Sequence, residues 1–454
     1  MKHDKALQVT IKKMVPAVLI AMISTGLGLL SLYRSKVPMI NDFGAMLTIG
    51  IVIAFIIGVF IFLPLLYIRD KHFPKEERTT LKKVQKPNTI VSRFVGIILK
   101  VKYIVLGFAI ILAVIGIFFD QNAKAETNLE NFMPQDSQAL ADIRELRDLI
   151  GSTEQIAIII EDTTVLSIEN LTTIKDIENL LISDYNHQII ETSSILSLLK
   201  MMGMTDLNLI NDETIQSIPQ DQRKLFINDT HTKTVINLSI IDMGDEAFSL
   251  FLDDLHEDIN QISSDAHITI TGQSIIDSEM MDALTTGRYE ITIIGLILIF
   301  LSLLIIYRSF YRAILPIIPI VLIVGWSGGI MALFGISYTP LTATLGALIM
   351  GIGTEFTILI TERYEEEKLE IENRQEAIKN ALSKMANPIL VSALTTMGGF
   401  SALIFSDFVI LSNFGIMTLV NLSLALLSTI VVLPTILAIS VRKEVKVLEP
   451  VISS

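Results

Sequence analysis

Apolar residues along this chain gather into eight runs, at about 15–33, 44–68, 103–119, 290–307, 314–334, 341–361, 388–406 and 411–440. A helix needs about 20 such residues to cross the hydrocarbon of a bilayer, and the runs reach or approach that length. In hydrocarbon only helices and closed barrels satisfy their backbone hydrogen bonds, and uninterrupted runs of this length predict helices. The pattern predicts a polytopic α-helical membrane protein with eight spans.

Between the third and fourth runs the pattern changes. QIAIIIE (155–161), HQIIETSS (187–194), TKTVINLSII (232–241) and HITITG (267–272) predict strands. SIENLTTIKDIENLLIS (167–183), SILSLLKMMG (194–203) and DEAFSLFLDDLHEDINQIS (245–263) predict helices between them. Repeated βαβ order predicts one α+β, ferredoxin-like domain, helices packed on a sheet. Met201, Met202 and Met204 are read as part of its core, with a pliant apolar substrate path as the alternative. SEMMDALTTGR (278–288) predicts a helix that continues into the fourth span.

Composition and charge give this layout an orientation. Of 454 residues, 51% are hydrophobic and none is cysteine, so disulfides and thiolate chemistry are excluded. The net charge of −13 is unevenly spread: residues 121–287 hold 30 Asp and Glu against 8 Lys and Arg, which leaves the rest of the chain positive. Lys and Arg concentrate in the loops of one side, including Arg69 to Lys102, Arg308, Arg312 and Arg363 to Lys384. The positive-inside rule then makes both termini cytoplasmic and residues 120–288 external, in a multi-pass protein of the cell membrane. An acidic outer domain argues against a nucleic-acid partner. The expected divisions are 1–68 with two spans, a basic cytoplasmic linker 69–102, a span 103–119, the external domain 120–288, a five-helix bundle 289–441 and a cytoplasmic tail 442–454. Asn170, Asn228 and Asn237 begin external glycosylation sequons.

The chain also repeats itself. At an offset of 371, residues 6–46 fall on 377–417 with 11 identities in 41, among them Thr25 on Thr396, Gly28 on Gly399, and Phe43-Gly44 on Phe414-Gly415. Leu63-Pro64 falls on Leu433-Pro434 after a one-residue shift. Residues 1–68 thus read as the last two helices of a truncated first repeat. The counterpart of Glu355 would lie at position −16, so an N-terminal half of about 270 further residues, encoded upstream, is an expected partner.

Glu355 is the most informative residue. It interrupts the run LTATLGALIMGIGTEFTILI (341–360), and a charge in hydrocarbon costs roughly 2.5–3.5 kcal/mol even on gentle scales, so such residues mark ion or proton pathways. A permanently neutral Glu that bridges two helices is the plain structural alternative. Glu355 and the pair Thr395, Thr396 each lie about 12 Å from the cytoplasmic ends of their helices, which predicts a shared site, repeated by Ser24 and Thr25 on the first span. The threonines could equally bond their own i−4 carbonyls. Gly351, Gly353, Gly398 and Gly399 would let helices approach closely around the acid. Asn421 reads as an interhelical hydrogen bond, and Glu365, Glu366 and Glu367 as a solvated helix face. No phosphate-binding loop occurs, and the six His lie outside the spans without metal-ligand spacing, so no catalytic residue, metal or cofactor is expected.

GIGTEFTILITERYEEE (351–367), the TT-x-GGF run 395–400, NFG (413–415), LP (433–434) and NLENFMPQDS (128–137) together resemble the resistance-nodulation-division (RND) superfamily. The likeness is to its MMPL branch, near the largely archaeal third hydrophobe/amphiphile efflux family, and covers essentially the whole chain as spans five to twelve of twelve. It implies that 120–288 is a porter-like domain and 289–441 a bundle similar to a sterol-sensing domain. It also implies a proton-driven secondary transporter rather than an enzyme, which exports hydrophobic or amphiphilic molecules or lipids and is able to form homo-oligomers. In that family an Asp-Tyr or Asp-Phe pair relays protons; here Glu355 and Phe356 occupy the pair, so the acid is longer and no phenol is present. A lipid receptor similar to a sterol-sensing domain, a Sec-type secretion accessory and an inactive truncated fragment are the alternative expectations.

Overall fold

The computed structural model describes every residue except Met1, 73–88, 122, 127–128, 151–154, 205, 211, 242, 244, 263 and 441–454. Residues 73–88 of the basic linker and the whole C-terminal tail therefore lie outside the described residues. The chain divides into a helical unit (Met1–Glu126, Asn131–Met133 and Asp282–Ser454) and an α+β unit (Thr127–Glu130 and Pro134–Met281).

Eight helices of the described chain are long and apolar enough to cross a membrane: M1 (Val15–Arg34), M2 (Pro38–Arg69), M3 (Lys102–Asp120), M4 (Gln273–Tyr307), M5 (Phe310–Phe334), M6 (Thr342–Glu370), M7 (Arg374–Phe405) and M8 (Val409–Ser440). M6 is the most enclosed, with 72% of its central window buried against 11% for M7. M3 and M5 meet through glycine: Cβ atoms on Gly116 would collide with the Gly325 backbone, and one on Gly329 would collide with Gly116. Small residues let backbones approach so that dispersion, rather than water exclusion, holds helices together in lipid. The Trp326 indole N–H donates to the Ala109 carbonyl across the same contact at 3.0 Å. Part of the stretch read as linker, Thr89–Lys100, is a helix that buries Val95, Ile98 and Leu99.

The internal offset recurs in the backbone. M1 ends in a 3₁₀ turn at Ser31–Arg34 and M7 in one at Ala402–Phe405, each 371 residues apart. M2 carries a π turn at Gly58–Phe62, and M8 one at Ser428–Val432. Pro64 and Pro434 follow these π turns; proline lacks an N–H and crowds the preceding turn, so the helix widens there. A Cβ on Gly44 would press on Leu32, and one on Gly415 on Leu403, the same pair of positions in each segment.

In the α+β unit, strands β1 (Gln155–Glu161), β2 (Ile189–Ser193), β3 (Lys233–Ile240) and β4 (His267–Thr271) form a sheet ordered β2-β3-β1-β4. Every neighbouring pair is antiparallel, with β3 lying between β1 and β2. Alternation puts Ile156, Ile158 and Ile160 of β1 and Ile236 and Leu238 of β3 on one buried face. Helix α1 (Ile168–Asp184) covers it with Leu171, Ile174, Ile177 and Leu181, and Ser167 caps that helix by accepting from the Asn170 N–H. Asn170 is buried and donates to Asp162 and the Thr164 carbonyl, so this sequon is enclosed rather than presented. Helix α2 (Ile195–Met201) buries Ile195, Leu196 and Leu199. Met201, its last residue, and Met202, its C-cap, face outward and are 82% and 43% exposed, and Met204 alone of the three packs on the core. Helix α3 (Asp245–Gln261) adds Phe251 and Leu255.

The glycine contacts separate two kinds of position. Gly116→Val is expected to destabilise the helical unit by about 1–3 kcal/mol through overpacking against M5. Gly398→Val, where nothing lies within 4 Å, is expected to leave its thermal midpoint in detergent unchanged.

Candidate functional site

Glu355 lies midway along M6 and lines a groove of about 540 Å³ formed with M1 and M2. The groove is apolar, walled by residues such as Val18, Met22, Ile51, Phe55 and Ile352, and Thr25 supplies a hydroxyl near the acid. Thr25 Oγ1 donates to the Ala21 carbonyl of its own helix and to the Gly351 carbonyl of M6, both at 3.0 Å. Gly351 is required for that approach: a Cβ there would stand 2.7 Å from Thr25 Cγ2. Gly28 continues the seam one turn on, where a Cβ would meet Ile299 of M4 and Met350 of M6. Among the described residues Glu355 has no hydrogen-bond or ion-pair partner, and its carboxyl faces the groove.

The other expected site residues are distributed differently. Phe356 is 2% exposed, packed inside the bundle, and does not line the groove. Ser24 is fully buried and its hydroxyl has no partner among the described residues. Thr395 and Thr396 do not line the groove with Glu355; they bond the carbonyls of Val391 and Ser392 at 2.8 and 3.0 Å. Equal depth was insufficient, because these hydroxyls turn to the outer side of M7. Gly353 packs on Ile320 of M5, whereas Gly398 and Gly399 touch nothing beyond their own helix. Asn421 is buried, and among the described residues neither of its side-chain polar atoms has a partner, so the expected interhelical hydrogen bond does not form there. Glu367 is not solvated: it is 2% exposed, paired with Arg363 and, at 2.6 Å, with Lys384 of M7.

A second polar centre had no reading in the sequence. Asp120 at the end of M3 pairs with Arg288 of M4, Nη1 to Oδ2 at 2.9 Å, with both side chains 8% exposed. Arg288 also donates to the Asp120 carbonyl and the Thr285 carbonyl. The Tyr289 and Tyr338 hydroxyls donate to the two Asp120 oxygens at 2.6 and 2.7 Å. The Arg288 guanidinium stacks 3.6 Å from the Tyr338 ring centre. Gly328 of M5 leaves the room the carboxylate fills. Burial raises the Tyr338 phenol well above its usual range, against the opposing pull of Arg288 and with Asp120 adding to the rise, so its hydroxyl remains a donor. Asp120 and Arg288 stand at the margins of apolar runs, where a charge ordinarily meets water; their opposite signs at the two ends of the 121–287 insertion were the available signal.

The MMPL family pattern matches residues 217–450. A membrane protein of Methanocaldococcus jannaschii is 27% identical over 357 residues, which take in 75% of this chain and 91% of that protein. The apo-petrobactin exporter of Bacillus anthracis is 24% identical over 182 residues, 38% of this chain and 24% of the exporter. Among solved structures, the hedgehog release protein Disp of the water bear Hypsibius dujardini superposes with a TM-score of 0.67 at 13% identity, over 95% of this chain and 59% of that one. At that identity the likeness is one of fold.

The buried pair makes a direct prediction. Breaking such a pair strands a charge, so Asp120→Ala is expected to cost about 3–5 kcal/mol. The measurement is the thermal midpoint and yield of the chain in detergent; an Asp120→Ala chain as stable as the parent would show the pair to be idle.

Proposed function

Because the chain belongs to the MMPL family of the RND superfamily, we propose that it works in proton-driven export of hydrophobic or amphiphilic molecules, lipids included, with Glu355 as the proton carrier. The observation that carries this reading is the unpartnered carboxyl of Glu355 on a groove that is otherwise apolar apart from Thr25. An ionised acid at this depth demands water or a cation, at roughly 2.5–3.5 kcal/mol if neither comes, whereas a protonated one does not. One proton therefore decides whether M1, M2 and M6 enclose a wet space or a dry one. Each proton that descends 100 mV releases about 2.3 kcal/mol, enough to bias a modest helix rearrangement.

In this reading the chain resides in the cell membrane with both termini cytoplasmic and residues 120–288 outside. M1 and M2 close a first repeat whose earlier helices belong to the working unit, and the α+β unit offers the outward path. Transport is secondary, coupled to the proton gradient. The export named in the Bacillus anthracis relative supports the class of activity.

Two experiments test it. In membrane vesicles from cells carrying the native locus, Glu355→Gln is expected to abolish gradient-driven movement of a fluorescent amphiphile while leaving protein level intact; undiminished flux overturns the carrier role. Lipid binding without flux in the parent would instead fit a receptor. Since the chain has no cysteine, Ser264→Cys is expected to react with an impermeant maleimide from outside and Glu372→Cys only after permeabilisation, and the reverse pattern inverts the topology.

A further inference from the structure

Where M3 begins and M8 ends, beside the start of M7, a pocket of about 260 Å³ is lined by Lys102, Tyr103, Arg374, Gln375, Ala438 and Ile439. Two basic side chains converge there. Lys102 is half-buried and held in place: its Nζ donates to the Ala438 carbonyl in the last turn of M8 at 3.2 Å, and lies 5.3 Å from the centre of the Tyr103 ring. An ammonium carries three donors, so one carbonyl leaves the others for a ligand, and no carboxylate of the described residues pairs with it. Asn373 caps M7 beside them by accepting from the Gln375 and Glu376 N–H groups, so the positive end of a long helix adds to the field. Glu372 and Glu376 are exposed and do not line the pocket.

The same seam continues into the membrane. Along M3, M5 and M8 runs an apolar groove of about 720 Å³, walled by residues such as Phe108, Leu112, Trp326, Leu333 and Leu427. Pocket and groove share one face of each helix: Lys102 precedes Ala109 and Gly116 of the groove by one and two heptads, and Val431 and Val432 precede Ala438 and Ile439 by one. From Val105 to Ile115 the groove runs about 15 Å at 1.5 Å per residue, the depth of one leaflet's hydrocarbon. A cationic pocket at the rim with a leaflet-deep apolar groove beneath it is complementary to a phosphate head on an acyl chain.

We propose that this seam holds one anionic phospholipid, its phosphate between Lys102 and Arg374 and an acyl chain in the groove between M3 and M8. Basic pockets between helix ends favour such headgroups, because phosphate oxygens accept charge-assisted hydrogen bonds there. A free phosphate gains that contact but nothing from the groove. The site shares no lining residue with the groove of Glu355 and does not depend on the carrier reading. Its lipid is a fixed component that ties M3 to M7 and M8, not cargo.

The test gives the full chain, purified in a neutral detergent, equimolar phosphatidylglycerol and phosphatidylcholine, and native mass spectrometry reads the lipid retained. Phosphatidylglycerol is expected to be preferred by about tenfold, the order that two basic contacts support. Lys102→Gln with Arg374→Gln is expected to abolish the preference while the thermal midpoint without lipid is unchanged, since glutamine keeps an N–H for the Ala438 carbonyl. Leu427→Trp, which obstructs the groove at an exposed position and leaves the pocket intact, is expected to weaken retention by about tenfold as well. Lys71→Gln, at the end of M2, and Glu355→Gln are expected to retain the lipid as the parent does. Equal retention of the two lipids by the parent overturns the proposal, as does a preference that Lys71→Gln removes too or retention indifferent to Leu427→Trp. Displacement of the lipid by glycerol 1-phosphate at constant ionic strength also overturns it, since the pocket would then take a free phosphate.

Discussion

Hydrocarbon contains no hydrogen-bonding partner, and the helical unit is organised by that lack. Each polar group placed within it must be answered by the protein. The threonines of M6 show the cheapest answer: Thr354, Thr357 and Thr361 each bond a carbonyl one turn back. Thr25 does more, since the same hydroxyl reaches the backbone of M6 and fixes how closely M1 approaches. Among the described residues Ser24, Asn421 and Glu355 have no such answer, and Glu355 differs from the other two in carrying an ionisable group on a groove that opens between helices.

The constraint has a second expression where the chain leaves and rejoins the helical unit. Asp120 and Arg288 bracket the inserted α+β segment in sequence, and their pairing, shared with Tyr289 and Tyr338, ties the end of M3 to M4 and to the M5–M6 connection. A buried ion pair is weak evidence for net stability, because desolvation offsets much of the attraction. Its value here is positional. It fixes two chain crossings against each other with directional bonds, which apolar contacts cannot do.

The repeat shows how one sequence pattern acquires two environments. M1 and M7 share threonine, glycine and a terminal 3₁₀ turn, and M2 and M8 share a proline-linked π turn. These local features follow the residues wherever they stand. Contact does not: Thr25 meets Gly351, while Thr396 bonds only its own helix.

By itself the sequence, though it did not announce the helix Gln138–Ile150, determined the eight spans, the four strands and the main helices between them in the α+β segment, and the place of one acid, Glu355, inside an apolar run. These depend on the length of apolar runs and on periodicity, quantities set by local chain geometry. It did not determine which side chains share a site. Depth along a helix was legible, but rotation about the helix axis was not, so Thr25 meets the helix of Glu355 while Thr395 and Thr396 fall on the far side. The same gap hid the Asp120–Arg288 pair and the burial of Glu367, because a charge at the end of a span looks solvated until its neighbours are known. Only packing decides which direction a helix face points, since the neighbours that settle it lie hundreds of residues away in the chain.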